Sequence, residues 1–201
     1  MCNDLYGSKL EIFDAAATLF SRHGYHAVSM RQIANRVDLT VGSLYYYFKS
    51  KEEILTTIYR YFDENMKSFS PNLEEMMEKT EYEDPHAILR MGLMIFPEDI
   101  KRLMAKSMLV TATLAHSDSR AEEIIEKNFI EMPAKYDRPV LERLIALDRI
   151  EPLDINSFIL IHTNFCYSSA VRFYVNSEKA ISSDDYVKGL EMIYRIVKVK
   201  S

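Results

Sequence analysis

Residues 40–55 read TVGSLYYYFKSKEEIL, in which three consecutive tyrosines precede two closely spaced lysines. Thr40 is typical of an N-cap, because its side-chain oxygen can accept a hydrogen bond from a backbone N–H in the first turn of a helix. The pattern therefore predicts a helix of about two turns over residues 41–48. A helix this short buries one side only, so its tyrosines cannot all be core residues.

Serine-based start signals mark three further helices around this segment. The Ser-x-x-Glu/Gln pattern of a capping box occurs at Ser8–Glu11, Ser29–Gln32 and Ser50–Glu53. These signals predict helices over residues 9–23, 30–37 and 50–68. Gly24 follows the first helix as a left-handed cap, and Asp38 follows the second, where aspartate tolerates the same conformation. Two short helices joined by a tight turn, 30–37 and 41–48, predict a helix-turn-helix.

The composition favours an all-α fold. Of the 201 residues, 48% are hydrophobic and 27% are charged, which is the balance of a globular chain and not of a disordered one. Five glycines and six prolines provide few of the turns that an all-β fold needs, and apolar residues recur at helical spacing. We predict a three-helix helix-turn-helix domain over residues 1–50, joined to a larger helical bundle domain over residues 51–201.

The larger domain is predicted as a series of helices. Proline or polar segments mark their boundaries at Asp84–Pro85, Phe96–Pro97, His116–Ser119, Met132–Pro133 and Glu151–Pro152. The exception would be a kinked helix that continues through Pro133 or Pro139. Residues 156–175 and 183–198 are predicted as the last two helices and as the best candidates for a dimer interface. The alternative is that they face the core of their own chain.

Neither a membrane nor a metal is expected from the sequence. No apolar run approaches the roughly 18 residues of a membrane span, and the beginning, MCNDLYGSKLE, lacks the basic and apolar blocks of a signal peptide. We therefore expect a cytoplasmic protein. Cys2 and Cys166 form neither a disulfide framework nor a metal-ligand spacing, so no metal and no cofactor are predicted.

Charge is unevenly distributed along the chain. The formal net charge is -5, which by itself argues against a polyanionic partner. Between residues 22 and 60, however, six basic residues accompany three acidic ones, whereas residues 61–201 hold 18 basic and 24 acidic residues. Only the N-terminal part of the molecule is therefore suited to phosphate.

One side of the predicted helix over residues 41–48 is unsuited to solvent. On a helical wheel, Leu44 and Phe48 share the edge that must pack on the neighbouring helices. The residues that face away are Gly42, Ser43, Tyr46 and Tyr47. A glycine within a helix costs about 0.5–1 kcal/mol relative to alanine, and outward tyrosines keep apolar surface in water. We infer that a partner covers this side.

Cations at predicted helix starts point to an anionic partner. Lys51 lies in the first turn of its helix and Lys49 just before it, where positive charge opposes the helix dipole and a bound phosphate would reverse that cost. Ser29 and Arg31 form a similar site at the start of the second helix. Duplex DNA, read in the major groove by the helix over residues 41–48, accounts for all these features. Taken singly, each of these residues is more often a packing or solvated residue.

Several short motifs lie between Lys9 and Leu55: Ala15-Ala16, Leu19-Phe20, Gly24-Tyr25, Ile33-Ala34, Gly42-Ser43-Leu44-Tyr45, and Phe48 with Lys51. In these motifs the run resembles the DNA-binding domain of TetR-family transcriptional regulators along its whole length. The resemblance implies DNA contacts at Ser29, Arg31, Thr40, Val41, Ser43, Tyr45, Tyr46, Tyr47 and Lys51, while Gly42 permits close approach. Two residues depart from the family pattern: Asp38 replaces the common glycine of the turn, and Tyr47 stands where histidine is frequent.

The rest of the chain shares only a plan with that family, whose members carry a helical effector-binding and dimerisation domain. Because one two-turn helix contacts few bases, we expect a homodimer on a palindromic operator. An effector pocket for a hydrophobic or amphipathic small molecule is predicted from Met91, Met94, Met104, Met108, Phe129, Phe158, His162 and Phe165. The favoured interpretation is a DNA-binding transcriptional repressor that such an effector releases. Co-repressor and activator modes would give the same sequence signals.

Two other functions are compatible with parts of the sequence. His162 and Cys166 lie four residues apart on one predicted helix face. No third orienting group, oxyanion-hole glycine run or metal spacing accompanies them in the sequence, so an enzyme is not predicted. The main alternative is a helical small-molecule-binding or interaction protein without DNA binding. The predicted recognition helix over residues 41–48, followed by Lys49 and Lys51, argues against this alternative.

Overall fold

The computed structural model describes residues 5–92, 97–175 and 182–200. Within these ranges the chain forms helices and loops, apart from an isolated antiparallel bridge between Ile150 and Val199. The α-helices are α1 (Gly7–His23), α2 (Met30–Arg36), α3 (Val41–Tyr47), α4 (Lys51–Ser68), α5 (Leu73–Lys79), α6 (Pro85–Met91), α7 (Glu98–Leu114), α8 (Ser119–Glu126), α9 (Met132–Ala146), α10 (Ile155–Val175) and α11 (Ser183–Tyr194). A π-helical turn, Lys127–Glu131, joins α8 to α9. The predicted all-α fold is confirmed.

The helices gather into two compact units. The first unit comprises residues 1–68 and 97–125, and it contains α1 to α4, α7 and nearly all of α8. The second comprises residues 69–96 and 126–201, with the remaining helices. The helices α4 and α7 therefore belong to the same packed unit as α2 and α3. The predicted division into residues 1–50 and 51–201 concerns function, and it stays a prediction.

Local capping sets the starts of α2 and α3 as predicted. Ser29 Oγ accepts a hydrogen bond from the backbone N–H of Gln32 at 3.3 Å, and the Gln32 side chain accepts one from the Ser29 N–H at 2.7 Å, which completes a capping box. Thr40 caps α3 by accepting from the Ser43 N–H at 3.1 Å. Asp38, between these helices, has a φ of 53°, the left-handed conformation expected of it.

The other two predicted capping boxes differ from the structure. The N-cap of α1 is Tyr6, so Ser8 lies inside the first turn and the predicted box there is wrong. At the start of α4, Ser50 Oγ accepts from the Glu53 N–H at 3.0 Å. The Glu53 carboxylate, however, accepts from the Lys49 N–H at 2.6 Å and not from Ser50. This box is half formed, and its carboxylate still satisfies a backbone donor ahead of the helix.

Apolar side chains from α1 to α4 form the core that fixes α3 in place. Phe13, Ile33, Leu44, Phe48 and Ile58 are each 0% exposed. Leu44 and Phe48 are the residues that helical periodicity places inward, so the predicted orientation of α3 is confirmed. Full burial of one such side chain contributes about 1.5–3 kcal/mol. This burial holds a helix of only seven residues in one orientation.

The second unit departs from the predicted helix boundaries at two places. The chain continues helically through the π-helical turn into α9, and Pro139 lies inside that helix. The predicted alternative, a helix that continues through these prolines, is therefore confirmed, and the predicted boundary at Met132–Pro133 is wrong. The last helix, α11, ends at Tyr194 and not near residue 198. Beyond it the chain turns and runs back along residues 149–151, where the Glu151 N–H donates to the Lys198 carbonyl at 2.8 Å.

The core of the second unit combines side chains from α5, α6, α9, α10 and α11. Leu144, Phe158, Leu190 and Tyr194 are each at most 2% exposed. Phe158 lies on α10, one of the two helices that the sequence analysis predicts as dimer-interface candidates. Among the helices in the described ranges, none combines the length and the apolar character needed to cross a membrane.

Candidate nucleic-acid interface

The outward side of α3 carries residues that the sequence analysis predicts as DNA contacts. Gly42, Ser43 and Tyr46 are exposed, and 86% of the Tyr46 surface is accessible. Tyr47 is half-buried, and its ring meets the Tyr46 ring edge-on with centroids 5.3 Å apart. Tyr45 is 48% exposed, so it is divided between protein and solvent. Exposed tyrosines of this kind present apolar ring surface together with hydroxyl groups that can bond phosphate or base edges.

The surroundings of Gly42 favour alanine, not glycine. Gly42 lies in α3, and an added Cβ would meet Thr40 Oγ1 at 3.8 Å as its nearest neighbour among the described residues, which is an ordinary contact. Because alanine is favoured over glycine in a helix by about 0.5–1 kcal/mol, the folded chain by itself would prefer alanine here. The described part of the chain therefore gives no steric reason for a glycine at this position.

Polar side chains at the starts of α2 and α3 are held in fixed positions. The Thr40 and Ser43 hydroxyls hydrogen bond to each other at 2.8 Å, and both side chains are exposed. Ser29 is held by its capping box, with Arg31 exposed beside it, and Val41 is half-buried at the start of α3. A hydroxyl that bonds one neighbour keeps further donor or acceptor capacity. These groups are therefore oriented before any ligand arrives.

Lys51 has a structural role that the sequence analysis missed. Its ammonium donates to the backbone carbonyls of Tyr25 at 3.0 Å and Val28 at 2.9 Å, and lies 4.3 Å from the centre of the Tyr25 ring. Lys51 thereby fixes the loop that leads into the Ser29 cap. The two carbonyl oxygens offset the unfavourable position of a cation at the start of α4, so a phosphate is not needed to explain it. One of its three N–H donors remains for DNA, and that contact stays a prediction.

The residues predicted for an effector pocket are divided between the two units. Met104 and Met108 lie on α7 in the core of the first unit. The second unit contains Met91, Phe129, Phe158, His162 and Phe165. Of these, Met91 and Phe165 pack against the core cluster that includes Phe158. Met94 lies outside the described residues.

A buried polar cluster stands among the predicted pocket residues of the second unit. His162 Nδ1 lies 2.7 Å from Asp137 Oδ2, and both side chains are at most 10% exposed. On the other side of the imidazole, Nε2 lies 3.5 Å from the Tyr194 hydroxyl. The Phe158 ring lies against it, with centroids 5.9 Å apart. The cluster places an Asp–His pair among the buried residues of the second unit.

Asp137 is the third group that the sequence analysis did not find beside His162 and Cys166. Burial opposes a charged imidazole, but hydrogen bonds with Asp137 and Cys166 outweigh it and raise the pKa of His162 to about 10. The ring is therefore protonated near neutral pH and pairs with Asp137. The sequence signal for Asp137 is its position one helical turn before Val140 and two turns before Leu144, on the core side of α9, where a charge needs a partner.

The fold and the exposed side of α3 define a helix-turn-helix protein with a second helical unit. The sequence profile of the family described as bacterial regulatory proteins, tetR family, matches residues 12–58. This match includes α2, α3 and the turn between them. By sequence, residues 12–58 therefore match the DNA-binding segment of the tetR family of bacterial regulatory proteins.

Curated relatives match the same part of the chain. The fatty acid metabolism regulator protein of Bacillus subtilis (strain 168) is 36% identical over 66 residues, which are 33% of this chain and 32% of that protein. The HTH-type transcriptional repressor KstR2 of Rhodococcus jostii (strain RHA1) is 43% identical over 56 residues, 28% of each chain. The chain thus matches about a third or less of the length of these relatives, which are named as regulators and not as enzymes.

Solved structures are similar over nearly the whole chain. The ketosteroid transcriptional regulator KstR2 of Mycobacterium tuberculosis superposes with a TM-score of 0.70 and 21% identity, covering 96% of both chains. A TetR-like transcriptional regulator from Rhodococcus sp. RHA1 gives a TM-score of 0.57 and 18% identity over 92% of this chain and 91% of the other. At such identities the likeness establishes the fold alone.

Proposed function

We propose that the protein is a sequence-specific DNA-binding transcriptional repressor that binds a palindromic operator as a homodimer and is released by a hydrophobic or amphipathic small molecule. The observation that carries the proposal is the outward side of α3. There Gly42 has surroundings that favour alanine, and Ser43 and Tyr46 lie in solvent. An α-helix fits the major groove, where side chains reach base edges. The relatives that share this segment are named as regulators.

The chemistry of each side chain suggests its role on DNA. Ser43 can hydrogen bond a base edge, and Gly42 lets the DNA come close to the backbone of α3. Tyr46 and Tyr47 lie against the duplex with their rings and hydroxyls. The remaining contacts in the proposal are Ser29, Arg31, Thr40, Val41, Tyr45 and Lys51.

Apolar side chains on the last two helices support a homodimer. Leu160 and Ile161 on α10 are 64% and 45% exposed, and Met192 on α11 is 69% exposed. Ile196, just beyond α11, is also exposed. One exposed apolar residue is ordinary, but several on two helices that contact each other suit the same surface of a second copy. On a palindromic operator, the half-sites that two copies of α3 would read lie about 34 Å apart in successive major grooves.

The effector class follows from the second unit and from the names of relatives. Those names refer to fatty acid metabolism and to ketosteroids. Fatty acids and ketosteroids are both largely hydrophobic molecules. In this chain, Phe158 packs against the His162 ring, and Phe165 and Met91 pack against the core cluster that includes Phe158. Apolar surface near a polar pair suits a ligand with one polar end. A ligand releases DNA only by favouring a conformer that binds the operator poorly.

Direct binding tests the proposal. Duplexes bound by the full chain are selected from a random-sequence library, and the affinity of the best duplex is measured by fluorescence anisotropy at several salt concentrations. Tyr46→Ala is expected to weaken binding about five-fold, since the hydrogen bond that its hydroxyl would make to the duplex is worth about 1 kcal/mol. The matched control is Tyr82→Ala, because Tyr82 is a 63% exposed tyrosine of the second unit.

The outcomes distinguish a DNA-binding regulator from a helical protein that does not bind DNA. Equal affinities of the two tyrosine variants would contradict the placement of α3 against DNA. A chain that selects no duplex and shows no salt-dependent binding would support the alternative, a helical small-molecule-binding or interaction protein without DNA binding. Fatty acids and steroids are then titrated into the protein–duplex complex. Release of the duplex is expected, and tighter binding would refute derepression.

A further inference from the structure

Arg120, in the first turn of α8, connects separate segments of the first unit. Its Nε and Nη2 atoms bind the two carboxylate oxygens of Asp118 at 3.0 and 2.6 Å, and Nη2 also lies 2.7 Å from Glu52 Oε1 on α4. Its Nη1 lies 3.3 Å from the Thr56 hydroxyl, and the guanidinium carbon lies 5.5 Å from the centre of the Tyr59 ring. The guanidinium is thus held against the N-terminal half of α4.

Glu52 carries the connection on to the loop between α1 and α2. Its second carboxylate oxygen accepts a hydrogen bond from the Tyr25 hydroxyl at 2.9 Å. Lys51 in turn bonds the carbonyls of Tyr25 and Val28, and the next residue, Ser29, is the cap of α2. A continuous series of polar contacts therefore runs from the start of α8 to the start of α2. We refer to it as the Arg120 series.

The protonation states in this series favour its contacts. Hydrogen bonds from Arg120 outweigh the effect of burial and lower the pKa of Asp118 to about 2. Burial and the hydrogen bond to Glu52 raise the pKa of Tyr25 to about 12. At neutral pH, Asp118 is therefore ionised and the Tyr25 hydroxyl is a donor. Isolated surface ion pairs contribute little, but a bidentate arginine within a network is the recognised exception.

An open cleft beside the series shows why polar contacts matter here. The cleft has a volume of about 340 Å³, and both the loop between α1 and α2 (Tyr25, His26) and the turn between α7 and α8 (Ser117, Asp118) border it. Tight apolar packing does not fill the space that these two segments share. The Arg120 series runs beside this cleft and adds polar contacts between the two segments.

We propose that Arg120 is a positioning residue for DNA binding, which acts through Glu52 and Tyr25 to set the loop before α2 and, with it, the placement of α2 and α3. The helix that carries Arg120 continues through the π-helical turn into α9 without an intervening loop. A change in α8 would thus reach α2 and α3 through side chains, in addition to the backbone of α4. The affinity part of this inference rests on the proposed DNA binding.

The test compares matched arginine variants of the full chain. Arg120→Gln removes the guanidinium of the series. Arg143→Gln removes one of similar exposure, 45% against 49%, which pairs with Glu81 in the second unit. In protein without DNA, amide hydrogen exchange of residues 24–29 is expected to quicken in Arg120→Gln and to stay unchanged in Arg143→Gln. The affinity of Arg120→Gln for the selected duplex is expected to fall about three- to five-fold, with no loss for Arg143→Gln.

Tyr25→Phe completes the test, because it keeps the ring and removes only the hydroxyl that donates to Glu52. If both residues act through Glu52, Tyr25→Phe weakens binding in the unsubstituted protein but adds little in an Arg120→Gln background. Additive losses, or unchanged exchange of residues 24–29 in Arg120→Gln, would overturn the proposal. The exchange measurement uses no DNA, so failure to bind any duplex would count against the proposed function alone.

Discussion

Gly42→Ala is expected to raise the stability of the protein and to lower its affinity for DNA. Gly42 is the second residue of α3, and a Cβ there would meet Thr40 Oγ1 at an unstrained 3.8 Å. Alanine loses less backbone entropy than glycine in a helix, a difference of about 0.5–1 kcal/mol. For a chain of this length, 1 kcal/mol moves Tm by about 2–4 °C. A rise in Tm of about 1–4 °C is therefore expected.

The loss of affinity is expected because the same methyl group would lie on the outward side of α3, which faces the DNA in the proposed complex. With α3 in the major groove, an alanine Cβ at position 42 takes space that a base edge or the DNA backbone would occupy. Losing one good contact costs about 1–3 kcal/mol, which corresponds to a Kd roughly 5- to 150-fold weaker. A glycine required inside the protein would give the opposite result, lower stability with little change in affinity.

Thermal unfolding and fluorescence anisotropy with the selected duplex measure the two effects on the same samples. Gly92→Ala is the matched control, because its Cβ would lie 3.2 Å from the Leu89 carbonyl oxygen in the second unit. We expect no gain in Tm and no change in affinity for this control. A Gly42→Ala protein that is more stable and still binds the duplex as tightly as the unsubstituted protein would refute the inference that DNA approaches α3 at this residue.

Two further predictions concern the second unit. Gly189→Ala would place a Cβ 2.2 Å from Phe165 Cζ, so we expect the free energy of unfolding in urea to fall by about 1–3 kcal/mol; an unchanged value would show that the ring moves aside freely. The pKa of His162 is raised to about 10 from 6.5, so its pairing stabilises fully below about pH 6.5 and is lost as pH rises towards 10. Asp137→Asn should therefore reduce stability more at pH 6 than at pH 9 in urea titrations, and equal losses at both pH values would contradict the pairing.

Features that depend on residues close in the sequence could be predicted. The capping box at Ser29 and the N-cap at Thr40 involve atoms within three residues, and the inward side of α3 follows from helical periodicity alone. The failed box at Ser8 marks the limit of this reasoning. A Ser-x-x-Glu pattern can fall inside a first turn as well as at its start, and the local sequence does not decide which residue begins the helix.

Contacts between residues far apart in the sequence could not be predicted. Lys51 finds its two carbonyl partners 26 and 23 residues away, and Asp137 meets His162 across 25 residues. Helical periodicity shows that a charge stands on an inward or half-buried side, but it does not show which partner satisfies that charge. For the same reason, residues that were predicted to line one pocket lie in two different units. Met104 and Phe158 both follow an apolar helical period, yet they belong to the cores of different units.

The contacts of Lys51 also bear on where the protein would meet phosphate. Each phosphate contact contributes about 0.9 to the magnitude of the slope of log K against the logarithm of the salt concentration. The Lys51 ammonium already donates to two carbonyls, so it has fewer N–H donors for a phosphate than a lysine in solvent. Arg31 and Lys49 are both exposed, so we expect them to account for more of the salt dependence than Lys51. We expect Lys51 to affect affinity mainly by holding the loop before Ser29, which the Arg120 series also reaches through Tyr25. On this proposal, side chains outside α2 and α3 add to the core packing that places the helices expected to contact DNA.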